Sequence, residues 1–324
     1  MKRRFLAAGL LGLVAVSAPL HAQQPFPSRP IRVISPFPTG SGPDVVVRVA
    51  AEKMTRSLGQ PVIIEARPGG NGFIALDAVK RAAPTGYELG LADVGHLAIN
   101  PSLFKKLPYD AVADFTQISG VYRTAFFVFV GQNSPIKDIR GLVAEARQQP
   151  GKVTYGSNSV GGPLHLGAVQ LETAAGVQML HVPFKETAAV YNAVATGDVT
   201  WAMGSLATAG PLLQAGKLRL LAVADKERSA AMPDVPTVEQ SGGPAGVEAT
   251  TWVTFLGPRD LPPAIAETLS THFRAALDSA DVRDRMTTFG FAPAGSTGAQ
   301  VMSWMRTDTP RYADMIKRTG AQAD

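Results

Sequence analysis

Residues 31–43 read IRVISPFPTGSGP, a short β-branched run followed at once by a loop rich in Gly and Pro. Pro43 suits the first turn of a helix, and apolar residues then recur at helical spacing as far as residue 58. Outward from this stretch, the pattern predicts strands at 62–65 and 87–91 with a helix at 73–82 between them. This βαβαβ order predicts an α/β domain with a largely parallel sheet.

The middle of the chain repeats the same plan. A strand at 152–155 leads through a Gly-rich loop, 156–162, into a helix that Pro163 opens. Further strands are predicted at 178–182, 198–203 and 218–224, with helices at 186–196 and 206–215 between them. The sequence therefore predicts two α/β lobes of similar construction in series.

Two apolar runs, 125–130 and 252–257, flank the second unit and are predicted to be the crossover strands between the lobes. The helical pattern of 258–324 would complete the first lobe. We therefore predict a signal peptide at 1–22, lobe 1 from 23–124 and 251–324, and lobe 2 from 125–250.

Composition excludes several classes of protein. The 324 residues include no cysteine, so neither a disulfide framework nor a thiolate metal site is available. Three of the 31 Lys and Arg lie in residues 1–22, where no acidic residue stands, so the remaining chain is close to neutral. No basic stripe indicates nucleic-acid binding, and the histidines lack the spacing of metal ligands.

The first 22 residues have the pattern of a secretory signal peptide. Lys2, Arg3 and Arg4 precede an apolar segment at 5–16, and cleavage is predicted after Ala22. The apolar segment is shorter than the roughly 20 residues that span a bilayer. Arg3-Arg4 leaves open whether export follows the general or the twin-arginine route. We expect a periplasmic protein.

The two Gly-rich loops are the candidate ligand-binding site. Ligands of open α/β sheets bind beyond the carboxyl ends of the strands, where each loop leads into a helix N-terminus with free N–H groups. Two such ends facing one cleft would hold a carboxylate. An ordinary βα turn is the alternative explanation. The candidates from this argument are Thr39, Gly40, Ser41, Ser157, Asn158, Gly161 and Gly162.

Two catalytic or cofactor patterns are incomplete. GNGFIA at 70–75 nearly fits a dinucleotide-binding turn, but it follows the second strand rather than the first. SNSVG at 157–161 nearly forms a nucleophile elbow but lacks the first Gly, and His165 is the nearest histidine. We therefore predict no catalytic residue, no cofactor and no metal.

Several ordered blocks make the chain resemble a known family. They read PFPTG at 36–40, EARPGGNG at 65–72, AAPTGY at 82–87, NPSLFKKLPYD at 100–110, HVPFK at 181–185, AGKLR at 215–219 and MPDVPT at 232–237. In these blocks the chain is similar to the periplasmic solute-binding receptors of the tripartite tricarboxylate transporter group, the Bug receptors. The resemblance covers nearly all of the chain after residue 22.

The resemblance implies a two-lobed periplasmic binding protein fold, type II-like, with mostly parallel sheets, flanking helices and two crossover strands. It implies a monomeric receptor, not an enzyme, that delivers a small organic acid to integral membrane transporter subunits. The resemblance implies a di- or tricarboxylate, an acidic amino acid or an aromatic carboxylate as the ligand. For this chain we expect a mono- or dicarboxylate, aromatic acids included. A ligand-sensing partner of a signalling system is the alternative role, and an exported hydrolase is a more remote one.

The family comparison extends the set of candidate ligand-binding residues. Phe37 and Phe184 are expected to pack the ligand's carbon body, and the added candidates are Pro38, Asp93, His96, His165 and Ser205. Gly204 stands where an Asp is common in the family, and Asp93 where small hydroxyl residues are common. An ionised Asp93 would repel a second carboxylate, which favours a monocarboxylate or a ligand with an apolar or hydroxylated far end.

Overall fold

The computed structural model describes residues 26–322, so the predicted signal peptide lies outside the described residues. Within them, eleven strands form two sheets: β1 (Ile31–Ser35), β2 (Val62–Ala66), β3 (Glu88–Asp93), β4 (Phe115–Ala125), β5 (Phe127–Gly131), β6 (Thr154–Ser157), β7 (Leu180–Pro183), β8 (Trp201–Gly204), β9 (Leu218–Val223), β10 (Thr250–Pro258) and β11 (Ala292–Pro293). The first sheet has the order β11-β4-β10-β3-β1-β2, and the second β7-β6-β8-β5-β9.

The helices flank both sheets. They are α1 (Gly42–Leu58), α2 (Phe73–Lys80), α3 (Asn100–Leu103), α4 (Ile139–Gln148), α5 (Pro163–Ala175), α6 (Thr187–Thr196), α7 (Leu206–Gln214), α8 (Pro263–Leu277), α9 (Ala280–Thr288) and α10 (Gly298–Thr319). Pro43 and Pro163 lie in the first turns of α1 and α5. Gly59 and Gly176 end the same two helices in the left-handed conformation that glycine adopts at low cost. None of the helices in 26–322 is long and apolar enough to cross a membrane.

The sheets are mixed rather than mostly parallel, which corrects the prediction. β1 pairs in parallel with β2 and β3, and β6 with β7 and β8. β10 is antiparallel to both β3 and β4, and β5 is antiparallel to both β8 and β9. The physical reason is the return of the chain: β4 leaves the first sheet and β10 re-enters it, so two neighbouring strands run in opposite directions.

The chain passes between the sheets at a compact backbone junction. The Phe126 N–H donates to the Ala249 carbonyl (2.8 Å), Ala249 N–H to Ala224 (2.9 Å), and Ala224 N–H to Phe126 (2.8 Å). The predicted crossover runs are thus mostly regular strand, because residues 127–130 lie in β5 and 252–257 in β10. The lobe boundaries at 125 and 250 stay a prediction that this junction suits.

Different helices cover the two faces of the second sheet. α5 packs with α4 into one buried cluster, whereas α6 and α7 pack into another around Phe129 and Tyr191. α10 returns to the first sheet, where the Trp252 indole N–H donates to Asp308 (2.7 Å). The N-termini of α5 and α7 therefore reach the edge of the second sheet from opposite faces.

Candidate functional site

A cavity of about 220 Å³ lies between the two lobes. Side chains of β4, β10 and the segment before β11 form its floor, and four helix N-termini reach its walls. The lining residues are Phe37, Ser41, Gly42, Pro43, Asp93, Tyr122, Thr124, Phe126, Asn158, Pro163, Leu164, Thr187, Tyr191, Ser205, Ala207, Thr208, Thr251, Val253 and Phe291. This composition combines aromatic surface with hydroxyl groups.

The electrostatics of the cavity come from helix ends rather than from basic side chains. The first turns of α1, α5, α6 and α7 all contribute lining residues. Each helix N-terminus carries unpaired N–H groups and a partial positive charge. Among the lining residues Asp93 is the one with a charged side chain, so an anion in this cavity would be held by backbone dipoles and hydroxyl groups.

The N-termini of α1 and α7 meet across the cleft at the α1–α7 corner, formed by Ser41, Gly42, Ser205 and Ala207. A Cβ atom on Gly42 would lie 2.9 Å from the Ala207 Cβ and 2.9 Å from the Phe291 ring, so a side chain there would force the lobes apart. The Ser41 Oγ is buried and has no hydrogen-bond partner within the described chain. This corner therefore offers an unused hydroxyl beside two helix ends.

The loop before α1 is fixed from outside the cavity. The buried carboxylate of Asp44 accepts from the Gly40 N–H (2.9 Å) and the Arg48 Nε (2.9 Å). Pro38, Thr39 and Gly40 are exposed and lie outside the cavity wall. The loop thus presents Phe37 and Ser41 to the cavity and uses its other polar groups for its own shape.

The Gly-rich loop of lobe 2 is occupied by its own contacts. Two stacked histidines, His165 and His181, lie beneath it with their ring centroids 4.1 Å apart. The Gly161 N–H donates to His165 Nδ1 (2.9 Å). Burial and the neighbouring His181 lower the pKa of His165 to about 4. A Cβ on Gly161 would collide with Leu103 of lobe 1. Of residues 157–162, Asn158 is the one that lines the cavity.

The pair Ser157 and His181 does not form a nucleophile and base. The Ser157 Oγ lies 2.9 Å from the Ser159 carbonyl and 2.7 Å from His181 Nε2. A carbonyl can only accept, so the Ser157 hydroxyl donates to Ser159 and the His181 Nε2–H donates to Ser157. Ser157 is also fully buried. This polarity is the opposite of what an activated serine requires.

Asp93 is held rigidly at the end of β3, two residues beyond the predicted strand. Its Oδ1 lies 2.6 Å from His96 Nδ1 and accepts the His96 N–H at 3.1 Å. Burial raises the pKa of Asp93, but the His96 imidazole and hydrogen bonds from His96 and Gly95 outweigh it and hold the pKa below its usual value. Asp93 is therefore ionised at neutral pH.

The structure brings five of the fourteen predicted site residues to the cavity wall: Phe37, Ser41, Asp93, Asn158 and Ser205. Nine lie elsewhere: Pro38, Thr39 and Gly40 on the exposed loop, His96 behind Asp93, Ser157, Gly161, Gly162 and His165 in or beneath the second loop, and Phe184 against the lobe 2 core. Most of the predicted site residues therefore lie outside the cavity wall.

Sequence reasoning missed most of the aromatic surface. Tyr122 and Phe291 stack with ring centroids 3.9 Å apart, and Phe126 lies at the backbone junction. Tyr191 arrives from the second turn of α6, and a Cβ on Gly204 would collide with its hydroxyl. The crossover strands were the available signal, because strands that join two lobes must form the floor of the cleft between them.

A larger depression of about 450 Å³ lies on lobe 2, away from the cleft. It is lined at the C-terminal ends of α4 and α6 by residues that include Gln149 and Thr196, and by one acidic and one basic side chain, Glu145 and Lys152. Helix C-termini present carbonyl groups and a partial negative charge, which disfavour an anion. The cavity between the lobes is therefore the candidate site.

Comparison with known proteins agrees with this geometry. Residues 46–321 match the tripartite tricarboxylate transporter family receptor. The chain belongs to this family. Protein BugT of Bordetella pertussis is 30% identical over 326 residues, covering 99% of each chain. The predicted family is confirmed.

Solved structures of similar chains confirm the two-lobed fold. Rpa4515 of R. palustris, solved with adipate, is 28% identical, with a TM-score of 0.83 over 91% of this chain and 98% of its own. MatC from Rhodopseudomonas palustris, solved with bound malate, is also 28% identical, with a TM-score of 0.79 over 90% of this chain and 100% of its own. Members of the family are periplasmic solute-binding proteins.

Proposed function

We propose that this protein is an exported receptor that captures a small organic carboxylate between its lobes and delivers it to membrane subunits of a tripartite tricarboxylate-type transporter. One observation carries the proposal. The N-termini of α1 and α7 meet across a cavity that is walled by aromatic rings and lined by neither Lys nor Arg. Capture involves no chemical step.

The α1–α7 corner suits a carboxylate group. Ser41 supplies a buried hydroxyl without a partner among the described residues, and Ser205 and Thr208 supply two more hydroxyls on the opposite side. Charge-assisted hydrogen bonds to such donors are stronger than neutral ones, and ordered water can bridge those that are not in direct reach. No basic side chain is required.

The walls suit an apolar carbon body. Phe37, Tyr122, Phe126 and Phe291 surround the cavity, so a short aliphatic chain or a ring would be covered on several sides. Adipate and malate, the ligands named for Rpa4515 and MatC, belong to the same chemical class of small acids. Burial of the apolar body supplies affinity, and the corner supplies orientation.

Ligand capture is coupled to lobe closure. The acid bridges the two helix ends, so it binds the closed form better than an open one, and only such a difference in affinity can shift the equilibrium. The closed receptor then presents a surface, formed by both lobes, to the membrane subunits. We expect the mature chain, released after Ala22 by signal peptidase, to do this as a periplasmic monomer.

A thermal-shift screen tests the proposal. The mature protein is unfolded, freed of ligand, refolded, and heated with small carboxylates, amino acids, sugars or nucleotides. A ligand at 100 times its dissociation constant raises the free energy of unfolding by about 2.7 kcal/mol. Stabilisation by carboxylates alone is the expected result. A response to a sugar or nucleotide, with none to any acid, would contradict the proposal.

A further inference from the structure

Asp93 lies at a second corner of the cavity, distinct from the α1–α7 corner. The neighbouring Gly95 faces the N-terminus of α5, since a Cβ there would lie 3.7 Å from Pro163. α5 and α7 cover opposite faces of the second sheet, so the contacts Gly95–Pro163 and Gly42–Ala207 join the two lobes at two different helix ends. A ligand that places its carboxylate at one corner extends toward the other.

The carboxylate of Asp93 is oriented and partly used. Oδ1 accepts the His96 N–H at 3.1 Å and lies 2.6 Å from the ring nitrogen Nδ1, which itself accepts the Asp93 N–H at 3.1 Å. The Gly95 N–H also donates to this carboxylate, Oδ2 receives no bond from His96, and the side chain keeps 21% of its surface exposed at the cavity wall. An ionised carboxylate only accepts hydrogen bonds, so a ligand group that meets this oxygen must donate one.

No basic side chain lines the cavity to offset a second negative charge, and the partial positive charge of the α5 N-terminus is shared with the Asp93 carboxylate. The other lining residues carry no charged side chain, and His96 already serves the far side of Asp93. Like charges in a partly buried site repel strongly, whereas a hydroxyl group can donate to Asp93 and keep its remaining surface against the aromatic walls.

We propose that Asp93 is a specificity-determining residue, which selects acids with a hydroxyl group at the end remote from the carboxylate and rejects dicarboxylates. The inference rests on the proposed function, because it assigns the far end of a ligand whose carboxylate lies at the α1–α7 corner. It separates this chain from relatives solved with dicarboxylates.

Two matched series of probes test the selection by isothermal titration calorimetry. The aliphatic series is 6-hydroxyhexanoate, hexanoate and adipate, and the aromatic series is 4-hydroxybenzoate, benzoate and terephthalate. Within the series that fits the cavity, the hydroxy acid is expected to bind about tenfold to a hundredfold more tightly than the dicarboxylate, the size of a hydrogen bond to a charged group. The unsubstituted acid should fall between them.

The variant Asp93→Asn isolates the charge. The amide is isosteric and retains an acceptor for the His96 N–H, so the preference for the hydroxy acid over the dicarboxylate should fall at least tenfold. Asp314→Asn, in an exposed pair with Arg318, is the matched control and should keep the wild-type preference. Thermal unfolding without ligand checks folding, and Asp93→Ser replaces Asp93→Asn if that variant does not fold.

The outcomes separate the two proposals. If no small carboxylate binds, in either series or in the thermal-shift screen, the proposed function fails and this inference falls with it. If acids bind but adipate or terephthalate matches its hydroxy partner, or if Asp93→Asn leaves the preference unchanged, only the inference about Asp93 is overturned. Tenfold tighter binding of 6-aminohexanoate than of 6-hydroxyhexanoate would also overturn it, since Asp93 would then select a cation.

Discussion

The loop before α1 and the loop before α5 have the same sequence design but opposite relations to the cavity. Each follows a parallel strand, contains Gly and Ser, and leads into a helix opened by Pro. At α1 the buried Ser41 hydroxyl is left without a partner in the described chain. At α5 the comparable groups, Ser157 and the Gly161 N–H, are paired with histidines beneath the loop.

The difference shows what turns a helix end into a binding site. A Gly-rich turn supplies hydrogen-bond donors, but a donor that is already paired within the protein is not available to a ligand. A buried donor that is left unpaired destabilises the protein until a ligand pairs with it. Lobe 2 satisfies its loop internally and offers α7 instead, where Ser205 makes no capping bond and its hydroxyl pairs with that of Thr208 (3.2 Å), another cavity residue. Five predictions test this contrast, from the largest expected effect to the smallest.

The stability of the loop before α5 should depend on acid pH. The pKa of His165 is lowered from 6.5 to about 4, so the unfolded chain binds a proton more readily than the folded one. The contribution of neutral His165 to the free energy of unfolding is therefore fully present above pH 6.5. It is lost as the pH falls from 6.5 to about 4, by on the order of 3 kcal/mol. His165→Gln, which keeps an acceptor for Gly161, should flatten urea-unfolding profiles in this window. An unchanged profile would show that the contact between His165 and Gly161 does not stabilise the fold.

Gly42→Val should prevent the α1–α7 contact. The new side chain would enter the space of Ala207 and Phe291, and overpacking of this kind costs about 1–3 kcal/mol, which corresponds to as much as a hundredfold in the dissociation constant. The measurement is calorimetric titration with the best acid from the screen. Gly210→Val, on α7 with open space around its Cβ position, is the matched control.

A double variant locates the origin of that effect. Adding Ala207→Gly to Gly42→Val removes the clash between the lobes but leaves the one with Phe291 inside lobe 1. Partial recovery of affinity is expected, without recovery of the melting temperature of the free protein. If affinity and melting temperature recover together, or neither recovers, the contact between lobes does not control binding.

Ser41→Ala should weaken binding about tenfold, the value of a hydrogen bond to a charged group. The free protein should lose no stability, because the Ser41 hydroxyl makes no capping bond and no other bond within residues 26–322. Ser303→Ala, on the exposed side of α10, is the control. A stability loss with unchanged affinity would show that the hydroxyl serves the fold and not the ligand.

The sequence predicted the lobes and the strand ends better than it predicted the cavity wall. Ser41 follows directly from its place after a strand, whereas Asp93 was predicted from the family resemblance. Tyr191 and Phe291 reach the cavity from segments that are distant along the chain, and no spacing rule announces them. The pairing of His165 with Gly161 likewise depends on how α5 packs under its own loop. The two loops differ in whether their polar groups are already hydrogen-bonded within the protein, and not in their residue types.

Gly162→Ala should have the smallest effect, although Gly162 is one of the candidate ligand-binding residues predicted from the sequence. Gly162 is the N-cap of α5, its backbone (φ −74°, ψ 171°) is accessible to any residue, and it lies outside the cavity wall. Its Cβ would collide with the Ser159 hydroxyl, which can rotate away. We expect an affinity within about twofold of wild type, as for a substitution that touches no ligand. A loss as large as that of Gly42→Val would mean that the loop before α5 holds the carboxylate after all, and the contrast between the loops would be wrong.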